Sequence, residues 1–385
     1  MRALLLGLLA ACWFAPTCAA PVANKVVGYY IAWARDARNF SPEKIDASKL
    51  THINYAFANI VDGKVVLGYP DVDAKNFEGL RALKKTNPKL KLLVSVGGWA
   101  WSKHFSDVAL ADASRTVFAD SVVVYMQKYQ LDGVDIDWEF PVGGGDPGNS
   151  ARPEDKRNFT LLLQAVRKAL DAAGKKAKQQ YLLTIASNPG PDYLRNTELG
   201  EVAKAVDWIN VMGYDYHGPW GKRAGPLAPL WADAKDDTQT ATSGRFVAAG
   251  IEGHIKAGVP LNKIVLGVPF YGYVWKGCPD AMHGQYQTCA GAGKGTWEEG
   301  SLEYADIVAN YLSQPGFTRY WNDATKTPWL YNPESGIYIT YDDPESMGHK
   351  LDYVVKQKLG GVMIWELTTD RERALLAPIA RKLLH

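Results

Sequence analysis

Cysteine is scarce in this 385-residue chain: there are four, and two of them, Cys12 and Cys18, fall in the first twenty positions. The other two sulfurs cannot close a tetrahedral site without two further well-spaced ligands, and the seven histidines show no such spacing. No metal is expected. Excess charge is lacking too, with 43 Lys and Arg against 41 Asp and Glu, a formal net charge of +2 and no basic run beyond short pairs. That balance argues against nucleic acid or an anionic membrane surface as a partner. After the first twenty residues no apolar stretch is long and charge-free enough to span a bilayer. Internal repeats and low-complexity linkers are also missing, so no appended module is marked off.

What is present begins with Met1-Arg2, an apolar run over 3–14, and small residues at Thr17, Ala19 and Ala20. This pattern predicts a signal peptide over 1–20, cleaved near Ala19 or Ala20, with 21–385 as the mature chain. Cys18 is not read as a lipid anchor, because Ala15, Pro16 and Thr17 match a lipoprotein processing site poorly. The expectation is a secreted monomer, extracellular or periplasmic, with no membrane attachment after cleavage. Cys278 and Cys289 then remain as a close pair, which an oxidising compartment joins as a disulfide. Hydrophobic residues make up 47% of the chain, enough for a large core, and 13 Trp and 20 Tyr are a surplus. Most such rings fill cores, but Trp at strand ends or in loops also suits stacking on flat ligand faces.

Short apolar, β-branched runs recur at 26–31, 53–57, 92–96, 134–138, 182–186, 208–212, 264–270 and 362–365. Segments at 76–85, 115–129, 156–172 and 245–257 carry apolar residues at helical spacing. Alternating strand and helix predicts a parallel sheet, and eight repeats predict closure: an α/β protein with a (β/α)8 TIM barrel. The interval 273–359 is too long for one crossover and holds glycine-rich loops and both remaining cysteines. We read 273–341 as a small α+β insertion subdomain after strand 7. That position puts it on the barrel's C-terminal face, where sites of this fold lie.

The fourth strand carries Asp132-Gly133-Val134-Asp135-Ile136-Asp137-Trp138-Glu139. Residues two apart on a strand share a face, about 6.5 Å from one another. Asp135, Asp137 and Glu139 therefore form an inward row, while Val134, Ile136 and Trp138 pack outward on the helices. Three carboxyls inside a barrel cannot all ionise freely. Charge on Asp137 is expected to raise the proton affinity of Glu139, the acid nearest the strand's C-terminal end, and so to make it a general acid at neutral pH.

This run has the Asp-x-x-Asp-x-Asp-x-Glu pattern and resembles the family 18 chitinases. Further matches fall where that family's strands should: Gly28-Tyr29-Tyr30 with Trp33, Tyr55-Ala56-Phe57, Ser95-Val96-Gly97-Gly98-Trp99, Met212-Gly213-Tyr214-Asp215 and Trp365. The resemblance runs from about Lys25 to the end, and the insertion is similar to that of a deep-cleft subgroup, where it walls the substrate groove. It implies hydrolysis of β-1,4 linkages in chitin or chito-oligosaccharides, with retention, by a substrate-assisted mechanism. Glu139 would protonate the leaving oxygen while the sugar's acetamido oxygen attacks. Asp137 would hold the acetamido N–H, Asp135 would take up a proton shared with Asp137, and Tyr214 would donate to the acetamido oxygen. Met212 and Asp215 would shape that pocket, with Trp365 as its floor. Trp99 and Trp220 are further stacking platforms, core packing being the other role open to Trp220. Phe57 and Tyr30 stand beneath the site, touching sugar or packed under it, and Gly98 and Phe140 complete the substrate-binding set.

Ser95 is read as a hydrogen-bond partner of Asp135, since no His is evident to activate it as a nucleophile. One departure stands out: Phe270-Tyr271-Gly272 is followed by Tyr273, where many relatives carry Arg. The run Gly291-Ala292-Gly293-Lys294-Gly295 lacks the Ser or Thr and the preceding strand of a phosphate loop, and no cofactor is expected. Two other functions fit the resemblance: an endo-β-N-acetylglucosaminidase acting on N-glycan cores, and a catalytically silent chitin-binding lectin. Glu139 weighs against the lectin, and the insertion with its several Trp weighs against a branched glycan.

Overall fold

The computed structural model describes residues 24–238 and 243–384; the signal-peptide segment 1–20, with Cys12 and Cys18, lies outside the described residues. In chain order the strands are β1 Lys25–Ile31, β2 His52–Val61, β3 Lys64–Leu67, β4 Lys91–Gly97, β5 Gly133–Asp137, β6 Leu182–Ser187, β7 Trp208–Val211 and β8 Ile264–Pro269. They continue with β9 Tyr271–Lys276, β10 Gly291–Ala292, β11 Ser301–Glu303, β12 Thr318–Asn322, β13 Thr327–Asn332, β14 Ile337–Thr340 and β15 Gly361–Trp365. Eight of these pair in parallel in the order β1-β2-β4-β5-β6-β7-β8-β15, and β15 returns to β1. The TIM barrel expected from the alternation is present, with β3 added antiparallel to β2.

Local chemistry explains the closure. On β5 the outward Val134 and Ile136 are buried, and Trp138 just beyond stacks on Phe105 at 5.4 Å and meets Phe159 edge-on at 5.5 Å. Phe159 belongs to the helix Asp155–Ala177, whose buried Phe159, Leu162, Leu163, Val166 and Leu170 follow one helical face. At Gly133 a Cβ would meet the Leu182 carbonyl oxygen at 2.4 Å, so glycine lets β5 and β6 approach. The helix Pro344–Lys356 starts at Asp343, whose carboxylate accepts from the N–H groups of Glu345 and Ser346 while Ser346 Oγ accepts from Asp343 N–H.

A second, antiparallel sheet follows β8 directly, in the order β10-β9-β14-β13-β12 with β11 on β9. Trp275, Trp329, Tyr331 and Tyr338 pack around the Cys278–Cys289 disulfide to form its own small core. Val274, Leu330, Ile339 and the nearby Ile307 join the barrel's core instead, which fixes the sheet onto the barrel. Among the described residues no helix is long and apolar enough to cross a membrane.

Candidate active site

The parallel barrel strands end on one rim, so their last inward side chains converge there. Over the rim lies a cleft of about 940 Å³, lined by the ends of several strands and by Tyr273, Trp297 and Glu298 from the second-sheet region. Another stretch of its wall is the aromatic string Trp33, Tyr69 and Trp101, with ring centroids 5.6 and 5.1 Å apart.

The acid row runs from the barrel interior into this cleft. Asp135 is fully buried: Tyr29 Oη and Ser95 Oγ donate to its Oδ2 at 2.6 and 2.8 Å, and Thr184 Oγ1 and Asn210 Nδ2 donate to its Oδ1 at 2.5 and 3.2 Å. Burial raises its carboxyl above the usual range, and these four donors oppose the rise. Asp137 lines the cleft, and its buried Oδ1 has no hydrogen-bond partner among the described residues. Burial, then the charges of Glu139 and Asp135, hold this carboxyl well above the usual range. Glu139 is pushed up to about 8, by burial first and by the charge on Asp215 second. The mutual influence of Asp137 and Glu139 that the sequence led us to expect falls on Asp137, and the charge on Asp215 is a further contributor to Glu139 that sequence reasoning missed.

Two neighbours fix the acids through the backbone. Ser102 Oγ accepts the Glu139 N–H at 2.8 Å and sits 2.9 Å from the Gly98 carbonyl and 3.2 Å from the Asp137 carbonyl. Asn149 Nδ2 donates to the Glu139 carbonyl at 2.9 Å. Gly97 and Gly98 have φ of 105° and 74°, and a Cβ on Gly97 would meet the Asp137 carbonyl oxygen at 2.3 Å. Only glycine allows that turn to lie against the acid strand.

Phe57, Trp99, Phe140, Met212, Tyr214, Asp215, Trp220 and Trp365 all line the cleft. Trp365 lies against Phe57 at 5.7 Å and Tyr29 at 5.4 Å, so its ring is backed by two others. Among the described residues the hydrogen-bond partner of Tyr214 Oη is the Met363 sulfur, at 3.9 Å, which leaves the hydroxyl available to a stronger acceptor. Asp215, at φ +63°, takes hydroxyl donors from Tyr271 and Tyr273 on the same Oδ1. Tyr273 thus fills the place of the expected arginine with a phenol on Asp215 and an edge-on contact with Trp220 at 5.4 Å. Trp99 and Trp220 are 52% and 69% exposed, which makes them surfaces for a ligand and removes the core-packing role for Trp220.

Tyr30 is a correction. It is fully buried outside the cleft, its hydroxyl donating to the Phe40 carbonyl at 2.8 Å, while its neighbour Tyr29 faces the cleft. Strand alternation sends the two rings to opposite faces, and the adjacent tyrosines in the sequence do not say which points inward. Gly98 does not line the cleft either; it supports Phe57, whose ring atoms a Cβ there would meet at 2.7 Å. Sequence reasoning missed Tyr29, Tyr271, Trp297 and Glu298. Tyr29 and Tyr271 carried a signal, since both stand within the quoted motifs.

The model for glycosyl hydrolases family 18 matches residues 25–370. The chain belongs to family 18. Chitinase A1 of Niallia circulans is 47% identical over 399 aligned residues, covering 91% of this chain and 57% of that protein. The present chain therefore spans little more than half of that relative's length. Among solved structures, chitinase ChiA74 from Bacillus thuringiensis superimposes with a TM-score of 0.91 at 40% identity, covering 94% of this chain and 70% of that one. A family 18 N-acetylglucosaminidase from Paenibacillus barengoltzii gives 0.82 at 36% identity, covering 94% of this chain and 100% of that one. Family 18 membership makes the protein a glycoside hydrolase, and the acid row lies inside the matched segment.

Proposed function

We propose that this family 18 hydrolase is a chitinase that cleaves β-1,4 linkages between N-acetylglucosamine units with retention, the substrate's own acetamido group acting as nucleophile. The observation that carries the reading is the pairing of a proton-retaining Glu139 with the unpartnered Oδ1 of Asp137, in a cleft that Trp365 also lines. The chitinase names of close relatives support it.

With its affinity pushed up to about 8, Glu139 holds a proton at neutral pH and gives it to the glycosidic oxygen. As that C–O bond breaks, the acetamido oxygen closes on the anomeric carbon. Asp137 accepts the acetamido N–H and stabilises the positive ring that forms, while Tyr214 donates its hydroxyl to the acetamido oxygen and orients it. Asp135 takes up the proton it shares with Asp137, one of its hydroxyl donors rotating to accept. Water then gives a proton to ionised Glu139 and attacks the anomeric carbon from the face the leaving group vacated, restoring the β configuration. Export by residues 1–20 would deliver the monomer outside the cell, and the Cys278–Cys289 disulfide suits an oxidising compartment.

Proton NMR of N-acetylglucosamine tetramer in the first minutes of digestion tests this reading. New reducing ends should appear as the β anomer. An excess of α, or release of N-glycans with an untouched tetramer, would contradict it.

A further inference from the structure

The glycine-rich run before Trp297 has no phosphate-loop role, yet it shapes a second depression. At Gly295 a Cβ would meet the carbonyl oxygens of Glu298 and Ser301 at 1.9 and 2.2 Å, so the chain turns tightly between Lys294 and Trp297. The depression measures about 520 Å³, and Lys294, Asp306, Asn310, Tyr311 and Arg371 line it. Trp297 and Glu303 border both this depression and the catalytic cleft. Trp297 is therefore a partition with two sides. It is 53% exposed, its indole N–H donates to Glu303 at 2.8 Å, and the Arg38 guanidinium lies 6.0 Å from its ring centroid. These contacts fix the ring's orientation and leave much of its surface free.

We propose that the depression is an accessory binding site for further units of the polysaccharide: a chain held in the catalytic cleft passes over Trp297 and continues into it. This rests on the chitinase reading above. Such a chain presents apolar ring faces together with hydroxyl and acetamido groups, and the lining matches both. Trp297 supplies the stacking surface. Asn310 Nδ2 donates to Asp306 at 2.6 Å, which leaves its carbonyl oxygen to accept from a sugar. Among the described residues the contacts of Arg371 are long, 3.3 Å to Glu303 and 3.5 Å to the Arg38 carbonyl, so part of its fork remains for a ligand. Lys294 is exposed at the rim. Two cations, Lys294 and Arg371, face two carboxylates, Glu303 and Asp306. A charge-balanced surface of this kind fits a neutral, N-acetylated chain better than a cationic, deacetylated one.

The test uses Lys294→Ala combined with Asn310→Ala. Both side chains are exposed and neither lines the catalytic cleft, so the fold should hold. Steady-state kinetics are measured on N-acetylglucosamine trimer and octamer. The loss of two ligand hydrogen bonds should lower kcat/KM for the octamer about tenfold, mostly through KM, and change the trimer less than about twofold. An unchanged octamer-to-trimer ratio would overturn the accessory site while leaving the chitinase reading intact. If the unaltered enzyme cleaves neither substrate, the chitinase reading falls first and this inference falls with it.

Discussion

The pH profile of kcat/KM is where burial and charge around Glu139 become measurable. The general acid works only when protonated, so its contribution is full below its proton affinity and is lost as pH rises through it. With Glu139 pushed up to about 8, roughly nine-tenths of the enzyme carries the proton at pH 7 and roughly one-tenth at pH 9. The expected profile has an alkaline limb near 8 and falls about tenfold between those two pH values. The charge on Asp215 is the second cause of the rise, so Asp215→Asn should move that limb toward lower pH, while burial keeps it above the range of an exposed glutamate. Absolute rates will fall as well, because Asp215 lines the cleft, and the position of the limb is the quantity to read. Assays on a chromogenic N-acetylglucosamine oligomer from pH 4 to 10 would supply both curves. A limb that stays in place in Asp215→Asn, or activity that rises through pH 8, would refute the assignment.

Two further outcomes follow from the same geometry. Oligomers with glucosamine in place of N-acetylglucosamine at the reacting unit should bind without being cleaved there, as mass spectrometry of the products would show; efficient cleavage of fully deacetylated chains would sink the acetamido mechanism. Ser102→Ala removes the acceptor for the Glu139 N–H and should lower kcat about tenfold at nearly unchanged KM, with partial rescue by Thr; a loss confined to KM would show that Ser102 does not position the acid.

The barrel was legible because its strands are short apolar runs separated by amphipathic segments, and β5 declared its inward face by alternating acids with Val134, Ile136 and Trp138. The acid row needed no tertiary information beyond period two. Tyr29 and Tyr30 lacked such a contrast, since both rings are large and half-polar, and the parity shows only in the fold, where the Tyr29 hydroxyl reaches Asp135 and that of Tyr30 the Phe40 carbonyl. The influence of Asp215 on Glu139 was hidden for a different reason. It joins residues 76 positions apart, and its strength depends on how deeply both are buried. Trp297 and Glu298 stand on a loop between β10 and β11, where no periodicity marks a side chain's direction. The substitution of Tyr273 for an arginine was visible in the sequence, but its consequence, a phenol on Asp215 and a ring against Trp220, required the structure.

The central claim is that Glu139 supplies the catalytic proton, and Glu139→Gln tests it most directly because glutamine keeps the shape and removes the proton. Turnover of N-acetylglucosamine hexamer should fall at least about a hundredfold, while calorimetry shows the hexamer still binding with an affinity close to that of the unaltered enzyme. Near-normal turnover in that variant would contradict the account and place the acid elsewhere in the cleft.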